Sequence, residues 1–281
     1  MKLPFKVDLS NKIAVVTGAG GVLCSLFAGV IASCGAKVAL LDLNEKAAKD
    51  VAERINKQGY TAIGLKCDVL DRESLFQCLE TVRTELGICD ILINGAGGNN
   101  PLATTADEYF IPGEIDPGVK NFFNLDPKGV EFVFNLNFLG TLIPTQVFAE
   151  DMVTKKEAVI INISSMSAYR PLTKIPAYSG AKAAIINFTQ WLAVHFSKTG
   201  IRVNAIAPGF FVTNQNRDML FTKDGQPTSR AEKILAATPM GRFGEAEELL
   251  GALLWLLSEA SGFVTGIVVP VDGGFSAYSG V

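Results

Sequence analysis

The 281-residue chain has one histidine, His195, and two tryptophans, and none of its five cysteines pair as C-x-x-C. A single imidazole is too few for a histidine metal centre. A Ser-His-Asp hydrolase would have to be built on His195, whose sequence neighbours offer no partners, so it reads as an ordinary helix residue. Cysteines that are odd in number and scattered (Cys24, Cys34, Cys67, Cys78, Cys89) argue against a disulfide framework or a zinc site. They fit a reducing, cytoplasmic setting with small buried thiols. Basic tracts are missing and the formal net charge is −3, which argues against nucleic acid as the main partner. No apolar run approaches the ~18 residues of a membrane span, the longest being Leu249–Leu257, and the N-terminus has no signal-peptide apolar region. Repeats, low-complexity tracts and linkers are also missing. What remains is 48% hydrophobic and 19% charged, a globular composition long enough to bury a sizeable core.

Continuous Val/Ile/Leu runs alternate with helical patterns along the chain. Strands are expected at 12–17, 37–42, 61–65, 89–94, 159–164, 202–207 and 267–271. Helices are expected at 21–34, 44–57, 72–86, 131–153, 176–198 and 245–257. This rhythm predicts an α/β fold: one doubly wound parallel sheet of about seven strands with helices on both faces, in a single domain over residues 1–281. Two stretches break the rhythm, a polar insert near 98–128 after the fourth strand and a segment near 210–238 after the sixth. Both leave the carboxyl ends of strands, where ligands of open α/β sheets bind, and the second is expected to be mobile.

The chemistry concentrates in Ser164–Lys182. If Tyr178 opens a helix, Lys182 lies one turn on, on the same face. A tyrosine with a pKa of ~10 is a poor base at neutral pH, and a neighbouring ammonium favours the phenolate. Such a pair can exchange a proton with an alcohol or ketone, and the Ser165 hydroxyl can hold the reacting oxygen. Near the N-terminus, Thr17-Gly18-Ala19-Gly20-Gly21-Val22-Leu23-Cys24 joins a strand to a helix, the form of a turn that brings backbone close to a pyrophosphate. Asp42 ends the second strand. A carboxylate there accepts hydrogen bonds from an adenosine ribose and repels a 2′-phosphate, favouring NAD over NADP.

These pieces, with Asp68-Val69, Asn94-Gly95-Ala96-Gly97, Asn137, Pro208-Gly209, Thr213 and Asp272-Gly273-Gly274, occur in the order of the short-chain dehydrogenase/reductase family, which the chain resembles over almost its whole length. The resemblance implies a Rossmann-type fold, an NAD(P)-dependent enzyme acting on CH–OH groups, and specific roles. Gly18, Gly20, Gly21, Val22 and Leu23 cradle the pyrophosphate, Asp42 binds the ribose, and Asp68 and Val69 contact the adenine. Asn94, Gly95 and Ala96 line the cofactor cleft, while Pro208, Gly209 and Thr213 sit by the nicotinamide. Asn137 helps hold a water in a proton relay. Ser165 orients the substrate oxygen and Tyr178 is the acid/base. Lys182 lowers the Tyr178 pKa and holds the nicotinamide ribose. A homotetramer or homodimer is implied as well.

Three positions in two motifs depart from the family's pattern. Its T-G-x-x-x-G-x-G turn has Val22 and Cys24 in place of the second and third glycines, and its Asn-Asn-Ala-Gly has Gly95 in place of the second asparagine. The insert, this turn and the C-terminal Asp-Gly-Gly-Phe-Ser-Ala-Tyr-Ser-Gly-Val together resemble a subgroup, the D-mannonate oxidoreductases (fructuronate reductases). That resemblance implies a small-molecule sugar-acid substrate, with Asn99, Asn100, Arg170 and Arg217, or else Lys174, Asn214 or Asn216, meeting its hydroxyls and carboxylate. Alternatives are another polyol or gluconate, a 3-oxoacyl thioester, or a non-catalytic dinucleotide-binding module.

Overall fold

The computed structural model describes residues 7–113, 118–212 and 217–280. Seven parallel strands form one sheet in the order β3-β2-β1-β4-β5-β6-β7. They are β1 (Ile13–Thr17), β2 (Lys37–Asp42), β3 (Ala62–Lys66), β4 (Ile91–Asn94), β5 (Ala158–Ile163), β6 (Ile201–Pro208) and β7 (Val268–Val271). β1, β2, β4, β5 and β6 are mostly buried because helices cover both faces, which is why they read as largely apolar runs. On one face α1 (Val22–Ser33) brings Phe27 and Ile31 against Val16, Leu40 and Ile93. On the other, α3 (Arg72–Glu85) and α5 (Gly140–Met152) bring Leu79, Phe148 and Met152 against Val15, Leu92 and Ile160. Each fully buried Phe or Ile side chain contributes ~1.5–3 kcal/mol of burial free energy.

Short polar side chains set where the helices start. Asn44 accepts from the Ala47 N–H ahead of α2 (Glu45–Lys57), and Asp71 from Glu73 N–H ahead of α3. Asp126 and Pro127 open α4 (Pro127–Phe134), and Pro176 opens α6 (Pro176–His195). Two parts differ from the sequence expectation. The helix expected at 131–153 begins at Pro127 and is interrupted by a π-helical turn at Asn135–Leu139 before α5. The segment expected to be irregular near 210–238 contains α7 (Arg217–Leu220) and α8 (Ser229–Ala236). The latter is capped by the Thr228 side chain accepting from the Ala231 N–H. Its apolar face, Ala231 and Ile234, packs with Leu220, Phe210 and Phe243. A 3-10 turn at Ala246–Leu249 leads into α9 (Leu250–Leu257).

The run Pro127–Met152 is long and apolar enough to cross a membrane by length and composition. Half of its most apolar window is buried inside the fold, as in a core helix.

The strand order reverses between β1 and β4, whose successive residues pair in register from Ala14 and Ile91. The Gly-rich turn and the Asn94–Gly97 segment leave these two strands side by side. This is the crevice in which open α/β sheets take dinucleotides.

Candidate active site

Close packing builds the crevice. Gly18 lies at φ +64, and a Cβ there would come within 2.8 Å of Ala96 Cα. The two loops can therefore lie together only with a glycine at this position. The Thr17 hydroxyl accepts from Gly95 N–H (3.1 Å) and Ala96 N–H (3.2 Å), tying the end of β1 to the chain leaving β4. Gly21 N-caps α1 in extended conformation and Val22 is its first residue, so the helix N-terminus faces the crevice edge. Backbone N–H groups there suit a phosphate. The Asp42 carboxylate accepts from Gly20 N–H (2.9 Å) and Asn44 N–H (2.8 Å), which fixes it beside the turn. Asp68 Oδ1 accepts from Leu70 N–H (2.9 Å), and Val69 is buried beside Gly140. Pro208 ends β6, and Gly209 follows it so tightly against Asp272 that a Cβ would meet Asp272 Cα at 2.5 Å.

The sequence reading placed Asn94 on the cofactor cleft. Its side chain instead turns inward, with Nδ2 donating to Thr145 Oγ1 and Asn162 Oδ1, both at 2.9 Å. Asn162 Nδ2 in turn donates to Thr189 Oγ1 (3.0 Å). This chain of buried amides and hydroxyls pins β4, β5, α5 and α6 to one another, and it had no signature in the sequence beyond polar residues inside apolar strands. Thr213, Asn214 and Asn216 lie outside the described residues.

The candidate reactive groups meet at the carboxyl end of β5. Ser165 follows that strand, and its Oγ accepts from Ser167 N–H (3.2 Å) and lies 3.0 Å from Ser167 Oγ, a partner the sequence reading missed. Tyr178 and Lys182 lie one turn apart on α6, with Lys182 Nζ 5.7 Å from the Tyr178 ring centre. Lys182 is buried; its Nζ donates to the Ile163 carbonyl at 2.8 Å, and Ser164 Oγ donates to the Lys182 carbonyl. The π-helical turn carries Asn137 inward, fully buried, where Nδ2 donates to the carbonyls of Gly98 and Val133, both at 2.7 Å. Single-turn π insertions recur at functional sites because they re-aim one side chain without ending the helix. A Cβ on Gly97 would lie 2.7 Å from Asn137 Oδ1 and 3.1 Å from Lys182 Nζ, so Asn137 and Lys182 converge on the space above that glycine.

The electrostatics correct one expectation. Tyr178 is raised above its ordinary pKa: burial of the phenol dominates, and a hydrogen bond with Ser165 pulls the other way. The Lys182 ammonium, 5.7 Å from the ring centre, donates to the Ile163 carbonyl. Burial instead lowers Lys182 itself to about 8, opposed weakly by Cys24. Burial also drives the Cys24 thiol up to about 12, which keeps it protonated and unreactive.

All four substrate candidates already make contacts within the chain. Asn100 Oδ1 accepts from Leu102 N–H as a turn cap (2.8 Å). Arg170 Nε donates to the Ser276 carbonyl (3.2 Å), and the Arg217 guanidinium lies over Phe221. Asn99 Nδ2 donates to Thr104 Oγ1 (3.0 Å), which leaves its own carbonyl oxygen open at the exposed rim.

Residues 23–276 match the family model described as enoyl-(acyl carrier protein) reductase. An uncharacterized oxidoreductase of Haemophilus influenzae is 61% identical over 282 residues, covering 100% of this chain and 99% of that protein. The uncharacterized oxidoreductase UxuB of Bacillus subtilis is 52% identical over 280 residues, covering 99% and 100%. A solved Haemophilus influenzae structure described as a "putative D-mannonate oxidoreductase" with bound NAD is 62% identical. It superposes with a TM-score of 0.94 over 98% of each chain. A Burkholderia cenocepacia gluconate 5-dehydrogenase, solved with NADP and tartrate, is 27% identical with a TM-score of 0.83, covering 97% of this chain and 98% of that one. With the parallel sheet, the glycine-lined crevice and the Ser165, Tyr178 and Lys182 side chains at its edge, these likenesses establish that the chain belongs to the short-chain dehydrogenase/reductase family of NAD(P)-dependent oxidoreductases.

Proposed function

We propose that the protein is an NAD-dependent sugar-acid oxidoreductase that interconverts D-mannonate and D-fructuronate. The observation that carries the chemical class is the convergence of Ser165, Tyr178, Lys182 and Asn137 at the carboxyl edge of β5, beside a crevice shaped for a dinucleotide. The residues fit NAD. The N-terminus of α1 and the Gly18–Leu23 turn suit the pyrophosphate, and the Asp42 carboxylate suits a ribose with free hydroxyls and disfavours a 2′-phosphate. Asp68, Val69, Gly95, Ala96, Pro208 and Gly209 complete the walls. Bound there, the nicotinamide supplies or takes up a hydride at the carbinol carbon.

The chain's own residues handle the proton. Tyr178 gives its phenolic proton to the ketone oxygen in reduction and takes it back from the alcohol in oxidation. The Ser165 hydroxyl holds that same oxygen and stabilises the charge that develops on it. Lys182, set near 8 by burial, can exchange a proton at neutral pH, and Asn137 Oδ1 lies beside it over Gly97. This arrangement suits a relay that recharges Tyr178 through a held water.

The substrate reading is supported by the Haemophilus relative described above and by the polar insert at the cleft mouth. The 27% identical gluconate 5-dehydrogenase favours gluconate-type polyols as the second reading. A single catalytic domain, a cytosolic setting and a homo-oligomer complete the proposal. Five free thiols support the second and exposed Phe132, Leu139, Trp191 and Val194 on α4, α6 and the turn between α4 and α5 support the third. The test is the loss of reduced-nicotinamide absorbance with D-fructuronate and NADH, in parallel with NADPH. Rapid loss with NADH alone is expected. Turnover of D-gluconate-type polyols without turnover of fructuronate would favour the second reading.

A further inference from the structure

Next to the loop that joins Ser165 to Tyr178 lies an open mouth of about 530 Å³ walled by the insert, the 170–175 loop, α8 and the C-terminal tail. Its charge is one-sided. Arg170, Lys174, Arg230 and Lys233 line it, against a single carboxylate, Glu108. Lys233 Nζ pairs with Glu108 Oε1 at 2.8 Å, joining the insert to α8 and neutralising that carboxylate. Arg170 is held by the Ser276 carbonyl, and Arg230 is exposed on the first turn of α8.

Lys174 differs from these three. It is half-buried, and among the described residues its ammonium has no hydrogen-bond or ion-pair partner. It lies near enough to Glu108, which lines the mouth with it, to help hold that carboxyl below its usual range, after the larger effect of Lys233. Its backbone is in the left-handed region at φ 71, where a lysine is strained, and the conformation is fixed by Thr105 N–H of the insert donating to the Lys174 carbonyl at 2.8 Å. Strain of this kind persists where the surroundings over-determine it, typically at ligand sites. The loop that carries it runs from Ser165 to Tyr178 and lines the mouth, which ties Lys174 through the chain to the groups proposed to hold the reacting oxygen.

We propose that Lys174 is the specificity-determining cation that receives the substrate carboxylate. A hexuronate carries its carboxylate at the opposite end from the ketone, so a substrate whose ketone oxygen rests on Ser165 and Tyr178 reaches outward toward the mouth. The half-buried ammonium forms a charge-assisted hydrogen bond with it, and the neutralised Glu108 offers no net repulsion. The insert acts by clamping Lys174 in place. This inference rests on the sugar-acid reading above.

The test compares Lys174→Asn, which tolerates the left-handed backbone without the charge, with Lys174→Arg, which keeps the charge. Substrates are D-fructuronate and the matched uncharged ketose D-fructose, each with NADH. Lys174→Asn is expected to lose about tenfold to a hundredfold in kcat/KM for the uronate, mainly through KM, with no change for fructose, and Lys174→Arg to keep most of the activity. Equal losses on both substrates, or no loss on either, overturn the assignment. Binding of D-gluconate and of uncharged D-sorbitol to the enzyme–NADH complex, followed by thermal shift, separates the two readings. A gluconate preference that disappears in Lys174→Asn supports the carboxylate site even if fructuronate is not reduced. Wild-type protein that binds gluconate no better than sorbitol overturns it even if fructuronate is.

Discussion

Cys24 Sγ occupies the space that a side chain at Gly95 would need: a Cβ built on Gly95 would collide with it and would also lie 2.9 Å from the Thr17 carbonyl. Two of the departures from the family pattern, Cys24 and Gly95, are therefore one exchange. Where the family pairs a glycine in the turn with an asparagine after β4, this chain puts a buried thiol on α1 and removes the facing side chain. The crevice wall stays filled although its composition has changed.

The pair predicts non-additive energetics. Gly95→Asn alone should overpack the wall and destabilise by ~1–3 kcal/mol. Cys24→Gly alone should lose burial and add a helix-interior glycine, costing ~1–2 kcal/mol. The double variant should be more stable than the sum of the two by at least ~1 kcal/mol in denaturant unfolding. Additivity within ~0.5 kcal/mol would show that the two positions are independent.

Tyr178→Phe keeps the ring and its packing but removes the proton. Turnover should fall by at least ~10²–10⁴-fold, while NADH binding followed by fluorescence stays within a few-fold of wild type. A variant that retains most of its turnover would remove Tyr178 from the mechanism.

Lys182 predicts a pH signature in the protein without nucleotide. Its folded pKa of about 8 lies below the ordinary value of 10.5. Below about pH 8 the folded state bears the full cost of a buried ammonium. Between about 8 and 10.5 the unfolded chain binds more protons than the folded one, so this group's contribution to stability rises with pH. Lys182→Met lacks that rise, and its stability relative to wild type should decline as pH goes from 7.5 to 10. Parallel stability–pH curves for the two proteins would contradict the buried-lysine assignment.

Asp42→Ala should relax cofactor choice. Removing the carboxylate eliminates repulsion of a 2′-phosphate and frees the Gly20 and Asn44 N–H groups it now accepts from. The ratio of kcat/KM for NADH over NADPH is expected to fall at least about tenfold, a change of ~1.4 kcal/mol. An unchanged ratio would assign the discrimination to other residues.

The fold was legible because it rests on local patterns. Lys37–Asp42 is a strand buried on both faces and reads as an apolar run; Asn44, Asp71 and Pro176 mark helix starts by their own chemistry. The insertion at Asn135–Leu139 was not legible, because a π turn shares its composition with the helix around it. Within 210–238, α8 was missed because its apolar face is only Ala231 and Ile234, too short a stripe to stand out.

For the site, the residue types were legible but their partners were not. Ser165, Tyr178 and Lys182 follow from spacing along one loop and one helix. Which of Arg170, Lys174 and Arg217 remains available depends on contacts with Ser276, Thr105 and Phe221, some of them far along the chain. Likewise, a lysine beside a tyrosine suggests a lowered phenol pKa, but burial of the phenol raises it against the pull of the Ser165 hydrogen bond. By itself the sequence determined the parallel α/β sheet and the order of its elements, since those depend on periodicity and near neighbours, and it marked Ser165, Tyr178 and Lys182 as candidates for the proton chemistry. Only the tertiary structure decided that Cys24 replaces a side chain at residue 95, that Asn94 serves the core, and that Lys174 lines the mouth with Arg170, Arg230 and Lys233. Those outcomes depend on volume and dielectric in spaces enclosed by residues distant in sequence.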